Sequence, residues 1–449
     1  MADSKKNLTK GKVIPLLSGL TWPMILGMMG IVIFNLVDTY FIGKLGDDEL
    51  AAIGFTFPVI MFFTSITIGL GIGVSSLVSR NYHTAPHIET VRYSVESLTL
   101  AILVVIIFIV TAFLTIEPLF RALGASESMI PLIRRYIEVW YWGVLFVVFP
   151  MVGNNIIRGA GDTFLPGMIM VGSAVVNAIL DPILIFGYGP IPALGLRGAA
   201  LATVFARSLS FVAVVWILVK KYKLIQKYKP SLRHVLSTWK KVLFIALPAG
   251  LSMLALPLSI GIITRLLAEY GKEAVAAFGV VSKVEMFGIM VINALASVII
   301  IFAGQNWVAR KYSRLLEGVK YSNIFSILWG TFLMIIALLF SNEIAGIFSD
   351  NPEIVSIAAD YIRIVTFSYG FVGFLMVGVS TFNGINKPIP GLLLTLLRMP
   401  VLYVPLAYLG SAYFGLKGIF FSALISNVLA GITAFFWVRI TIKKSIHRL

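Results

Sequence analysis

Two aspartates fall inside stretches that are otherwise apolar, and similar polar groups surround both. Asp38 lies five residues before Gly43 and Asp181 six before Gly187, near the ends of the segments 15–43 and 164–187. At a rise of 1.5 Å per helical residue, both sit about 7–9 Å inside the same end of their segments. Asn35 stands three positions before Asp38 and Asn177 four before Asp181, so in helices each amide shares a face with its acid. Thr203, five residues into 198–219, and Tyr136, four into 132–157, reach the same level. An ionisable group inside a bilayer costs roughly 2.5–3.5 kcal/mol, so each invites a functional explanation. Two carboxylates in a dehydrated site do not both stay ionised cheaply, and their protonation would respond to pH and to the side on which a cavity opens. The same oxygens would also suit Na⁺, and a hydrogen-bonded helix pair with no transport role is the structural alternative.

The elements that must position these groups are membrane helices. The chain has 449 residues, 59% of them hydrophobic and 12% charged, with a mean hydropathy of +0.95. So few charges do not cover a water-exposed surface, so lipid is the solvent for most of the protein. There is no cysteine, which excludes disulfides and thiolate chemistry, and the four histidines lie in polar connections. No nucleophile–base or metal constellation is visible, and none of the three Gly-Lys pairs completes a phosphate-binding loop. An enzyme is not expected, nor a cofactor beyond a coupling ion.

Twelve segments are long and apolar enough to span: 15–43, 50–79, 93–116, 132–157, 164–187, 198–219, 242–268, 274–308, 321–341, 354–383, 391–410 and 418–438. Alternate connections carry 24 Lys and Arg on one side and five on the other. The positive-inside rule therefore predicts that both termini are cytoplasmic. That asymmetry accounts for the net charge of +16 without nucleic acid. The basic segment 220–241 is expected to lie against anionic headgroups or to act as a solvated topological signal.

The sequence also repeats. GDDELAAIG at 46–54 matches GKEAVAAFG at 271–279, Tyr136-Ile137 matches Tyr361-Ile362, and RGAG at 158–161 matches NGIN at 383–386, all at an offset of 225. GLRG at 195–198 matches GLKG at 415–418 at an offset of 220. The fold expected is an all-α polytopic membrane protein with twelve helices in two pseudo-symmetric six-helix bundles. Its divisions are an N-terminal lobe at 1–219, a basic linker at 220–241 and a C-terminal lobe at 242–449. Asp38 falls on Ile263 and Asp181 on Met399 or Val401, depending on where the register shifts, so the second half lacks both acids. Lys283 and Glu285 are two residues apart and are expected to pair with different helices, through Arg265 or Arg398. On the first span Met24, Met28, Ile31, Asn35 and Asp38 form one stripe, a surface suited to a substrate cavity or to core packing. Pro23 interrupts the backbone hydrogen bonding of that span and provides a place to bend.

The stretches NLVDTYFIGKLG at 35–46, RGAGDT at 158–163 and NAILDPILIFG at 177–187 resemble the signatures of multidrug and toxic compound extrusion (MATE) transporters, most closely the DNA-damage-inducible F (DinF) branch. The resemblance covers essentially the whole chain. It implies export of bulky, often cationic organic compounds in exchange for H⁺ or Na⁺, by rocking between outward- and inward-facing states. Asp38, Asp181 and Asn177 match the cation-binding residues of the branch's N-terminal lobe, and Tyr136 and Thr203 match the same polar network. Asn154 matches a cavity asparagine, and Pro23 the proline at which span one is proposed to bend. The expected protein is thus an H⁺-coupled, or alternatively Na⁺-coupled, efflux antiporter of drugs or organic cations. A monomer in the cytoplasmic (inner) membrane is expected. A flippase for lipids or lipid-linked precursors is the rival within transport, and a non-transporting receptor or scaffold the rival from another class.

Overall fold

The structure is a computed structural model that describes residues 7–446. Residues 1–6 and 447–449, which include the two chain ends placed by the charge count, lie outside the described residues. Among the described residues the architecture is all-helical, with one isolated bridge between Tyr188 and Ile191. The helices are α1 (Val13–Gly43), α2 (Asp47–Asn81), α3 (His87–Ala122), α4 (Ile130–Gly159), α5 (Phe164–Phe186) and α6 (Leu196–Trp216). They are followed by α7 (Leu232–Ala268), α8 (Lys272–Val308), α9 (Tyr312–Gly346), α10 (Pro352–Val365), α11 (Tyr369–Gly384), α12 (Pro388–Leu396) and α13 (Val404–Ile446). A π-helical turn (Leu397–Tyr403) joins α12 to α13, and a 3₁₀ turn (Thr366–Ser368) joins α10 to α11.

Eleven helical stretches are long and apolar enough to cross a membrane, the last running 59 residues from Pro388 to Ile446. That stretch folds back on itself. Gly415 breaks the helix at φ 60°, ψ −146°, and Ser422 Oγ donates to the carbonyl of Leu406 at 2.7 Å. In a straight helix those residues would stand about 24 Å apart. The stretch is a helical hairpin, which gives the twelve segments read from the sequence. Outward-facing apolar side chains such as Ile106, Ile107, Val110 and Leu114 on α3 fit a lipid environment.

The repeat is written in the backbone. Gly195 (φ 55°, ψ −132°) and Gly415 adopt nearly the same conformation, one that glycine alone enters readily. Gly46 and Gly271, the N-caps of α2 and α8, both have positive φ, as do Gly161 and Asn386. The matched motifs are thus the turns that start and stop equivalent helices.

Trp22–Leu247 form one compact unit, whereas Asn7–Thr21 and the chain from Pro248 onward form the other. In the first, the ring of Phe63 stacks on Phe108 at 3.9 Å, with Trp140 edge-on to both. The basic segment 220–241 packs on this unit. Tyr222 donates to Asp162 Oδ2 at 2.6 Å, Tyr228 to Glu96 Oε1 at 2.9 Å, and Trp239 Nε1 to the Glu96 carbonyl at 2.9 Å. Burial, reinforced by the Glu96 bond, pushes the Tyr228 phenol up to about 12, so it remains a donor at neutral pH. The eight Lys and Arg of the segment stay exposed.

In the second unit the residues preceding α1 are clasped by side chains. Leu8 is fully buried; its N–H donates to Gln305 Oε1 at 3.0 Å. Arg314 donates to the carbonyls of Leu8, Lys10 and Gly11 at 3.2, 2.8 and 2.6 Å.

Candidate functional site

The two acids inside the spans of the first unit, Asp38 and Asp181, lie within electrostatic reach of one another. Asp181 and Asn177 on α5 are fully buried, and Asn177 Nδ2 donates to Asp181 Oδ1 at 3.0 Å, the one-turn spacing read from the sequence. Asp38 on α1 is half-buried. Tyr136 on α4 is buried and feels both carboxylates. Asp38 Oδ1, Asp181 Oδ2, Asn177 Oδ1 and Thr203 Oγ1 are buried without a hydrogen-bond partner among the described residues. Pro182 follows Asp181 inside α5 and has no N–H, which leaves the carbonyl of Ala178 without its helical partner. Unpaired acceptors in a dehydrated layer are costly unless a proton or a cation satisfies them. The layer is suited to exchanging such an ion.

α1 is seated on α5 through glycine. A side chain at Gly167 would run into the carbonyl of Pro23, and a Cβ at Gly27 would lie 2.9 Å from the Gly167 backbone. α1 stays helical through Pro23. The contact therefore places a proline-weakened turn directly below the helix segment that carries Asp38.

The other sequence candidates are distributed differently. Asn35 is exposed, although its carbonyl accepts from Thr39 Oγ1 at 2.8 Å. Met24 is fully buried and Met28 half-buried, so the lower part of the methionine stripe is packed. Asn154 is buried with its Oδ1 unpaired. Its neighbour Asn155 instead bonds the Met151 carbonyl and fills the space left by Gly71, which separates the roles of the two.

The second unit holds a polar cluster that the sequence shows only in part. Glu285 Oε1 accepts from Tyr361 at 3.4 Å and from Tyr369 at 3.3 Å. It lies within electrostatic reach of Arg398, one of the two partners expected for it. Arg398 Nε donates to Asn427 Oδ1 at 2.6 Å, and Asn427 Nδ2 to Ser368 Oγ at 2.8 Å. Lys283 points elsewhere, 5.9 Å from the ring of Phe348. A further charged residue lies in the middle of α6: Arg207, with its guanidinium 4.9 Å from the ring of Phe34. A mid-span arginine is as visible in the sequence as Asp38. Among the described residues no group of three or more His, Cys, Asp or Glu is placed to hold a metal ion.

Comparison with known proteins places this geometry. The MatE family model matches residues 23–183 and 248–409, one match in each repeat. The chain is 35% identical over 420 residues to the FAD transporter of Shewanella oneidensis, covering 94% of this chain and 93% of that one. It is 25% identical over 433 residues to the multidrug export protein MepA of Staphylococcus aureus, covering 95% and 93%. Its fold matches the crystal structure of the Vibrio cholerae MATE transporter VcmN in the bent form with a TM-score of 0.91 at 28% identity, over 96% of this chain and 98% of that one. These relatives are transporters, not enzymes. With both repeats matched and the twelve-segment fold shared, the chain belongs to the MATE transporter family.

Proposed function

We propose that this protein is a secondary-active efflux antiporter that exports amphipathic organic compounds, drugs and organic cations among them, in exchange for H⁺. It would act as a monomer in the cytoplasmic membrane with both termini inside. The observation that carries the coupling is the proximity of Asp38 on α1 to Asp181 on α5, within one buried layer that also contains Asn177, Tyr136 and Thr203. Protonation removes the repulsion between the two carboxylates and changes what holds α1 against α5. α1 then rearranges about Pro23 and reshapes the surface of the first unit, releasing substrate outward. Asn154 and the Met24–Met28 face of α1 belong to the substrate cavity in this reading, and Asn35 joins the layer only when α1 moves.

Na⁺ is the second reading. It is favoured by the unpaired oxygens of Asp38, Asp181, Asn177 and Thr203, a set of hard donors that suits an alkali cation. The 35% identical relative is an FAD transporter, which adds flavin dinucleotides to the compounds worth testing as cargo. In proteoliposomes, dye uptake driven by a pH gradient and abolished in Asp38→Asn supports H⁺ antiport. Uptake driven only by Na⁺ supports the second reading. Movement of lipid-linked precursors with no dye flux would favour a flippase instead.

A further inference from the structure

Arg207 is the eleventh residue past Leu196, the start of a helical stretch that ends at Lys221. It therefore sits about 16 Å from one end of its span and about 21 Å from the other, too deep for its side chain to reach water along the helix. Its partner is the face of Phe34 on α1, which is itself buried, and among the described residues no carboxylate lies within ion-pair distance of it. Arg207 is half-buried, and the ring quadrupole supports its charge while engaging none of its five N–H donors.

The second repeat shows what a compensated arginine looks like in this fold. At the offset of 220 that aligns Gly195 with Gly415, Arg207 corresponds to Asn427. In the second unit Asn427 accepts from Arg398, which also feels Glu285. The first unit has the cation and lacks both of those partners.

The position of Arg207 relative to the acids is equally informative. α1 and α6 are the first and sixth of alternating spans and so run in opposite directions. Phe34 lies one turn before Asp38, and Arg207 one turn after Thr203. The guanidinium thus stands about 6 Å deeper than the Asp38–Thr203 level, in the same unit and against the helix that carries Asp38.

We propose that Arg207, with Phe34 beneath it, is an anion-recognising subsite that holds a carboxylate or phosphate group of an aromatic substrate. The proposal rests on the reading of the protein as an exporter and adds a substrate class to it, the amphipathic organic anion. A guanidinium fork matches a carboxylate or phosphate in a bidentate manner, and the neighbouring ring accommodates a planar aromatic body. Depth rules out a lipid headgroup as the natural occupant. Coupling to the acids runs through α1. A rearrangement of that helix about Pro23 withdraws Phe34 from Arg207 and takes the subsite apart.

The test is equilibrium binding to the purified full-length protein in detergent, with no gradient, so that it does not depend on antiport. FAD, uncharged lumiflavin and ethidium are the probes. Wild type should bind FAD more tightly than lumiflavin. Arg207→Gln should weaken FAD binding at least about tenfold and leave ethidium within about twofold, with Arg207→Lys between them, as expected for loss of a charge-assisted bidentate contact. Equal weakening of FAD and ethidium, or unchanged FAD binding, would overturn the proposal. If Arg207→Gln does not fold, the comparison of FAD with lumiflavin on wild type and Arg207→Lys decides it, and equal affinities for the two flavins overturn it. Transport driven by neither H⁺ nor Na⁺ in proteoliposomes would count against the antiport reading alone.

Discussion

Tyr136 and Tyr361 stand 225 positions apart, at the same place in the two repeats, and both lie near carboxylates within the spans. Tyr136 lies within electrostatic reach of Asp38 and Asp181, from α1 and α5. Tyr361 donates to Glu285, from α8. The repeat has kept the phenol and changed the helix that supplies its acid. The acid of the second unit is tied down by two phenols and lies near an arginine, whereas those of the first keep unpaired oxygens. On the proposed reading, exchange chemistry belongs to the open pair and structural bonding to the closed cluster.

If the open pair exchanges the coupling ion, its members act as a unit. Asp38→Asn and Asp181→Asn are each expected to abolish gradient-driven transport, and the double variant to be no worse than either single one. Initial rates in proteoliposomes check this. Additive partial losses would mean that the two carboxylates work independently.

The closed cluster predicts a stability effect instead. Tyr369→Phe removes one of the two donors to Glu285 and should cost about 1 kcal/mol, with transport retained. Thermal unfolding in detergent, read beside the transport rate, separates the outcomes. Unchanged stability with lost transport would move Glu285 into the coupling machinery.

Gly167 tests the seat of α1. Gly167→Ala places a methyl against the carbonyl of Pro23, and overpacking of this kind costs about 1–3 kcal/mol. Because a backbone group is in the way, α1 must shift. Transport should fall while helical content by circular dichroism stays constant. Wild-type transport in Gly167→Ala would show that α1 is not held there.

The basic segment is docked through Tyr228. Tyr228→Phe leaves Glu96 without its phenol donor and should cost about 1 kcal/mol. Amide exchange across 222–231 should rise selectively, and uniform exchange along the chain would contradict it. The sign of the pH effect follows from the raised phenol. The contact is complete below the ordinary tyrosine value of about 10 and is lost as pH rises through about 12.

Much of this was legible in the sequence, for physical reasons. Membrane helices announce themselves by length and composition. The glycines of the repeated motifs marked turns because no other residue takes the conformation of Gly195 and Gly415 at comparable cost. The shared face of Asn177 and Asp181 follows from helical spacing alone. What stayed hidden depends on tertiary contact. Asn35 and Asn177 occupy similar places beside an acid, yet α5 buries its amide and α1 exposes the other. Tyr369, Arg398 and Asn427 converge from α11, a π-helical turn and α13, and no local spacing predicts that meeting. The long stretch from Pro388 to Ile446 shows the reverse case. The sequence reads it as two spans, and the helix continues almost unbroken until Gly415 reverses it.

Coupling through α1 is tested by uptake of ethidium into proteoliposomes under an imposed pH gradient without Na⁺, in wild type and Asp38→Asn. Wild type should show robust uptake that collapses with the gradient, and the variant none. Equal uptake by Asp38→Asn under the same gradient would contradict this, because α1 would then carry no part of the coupling.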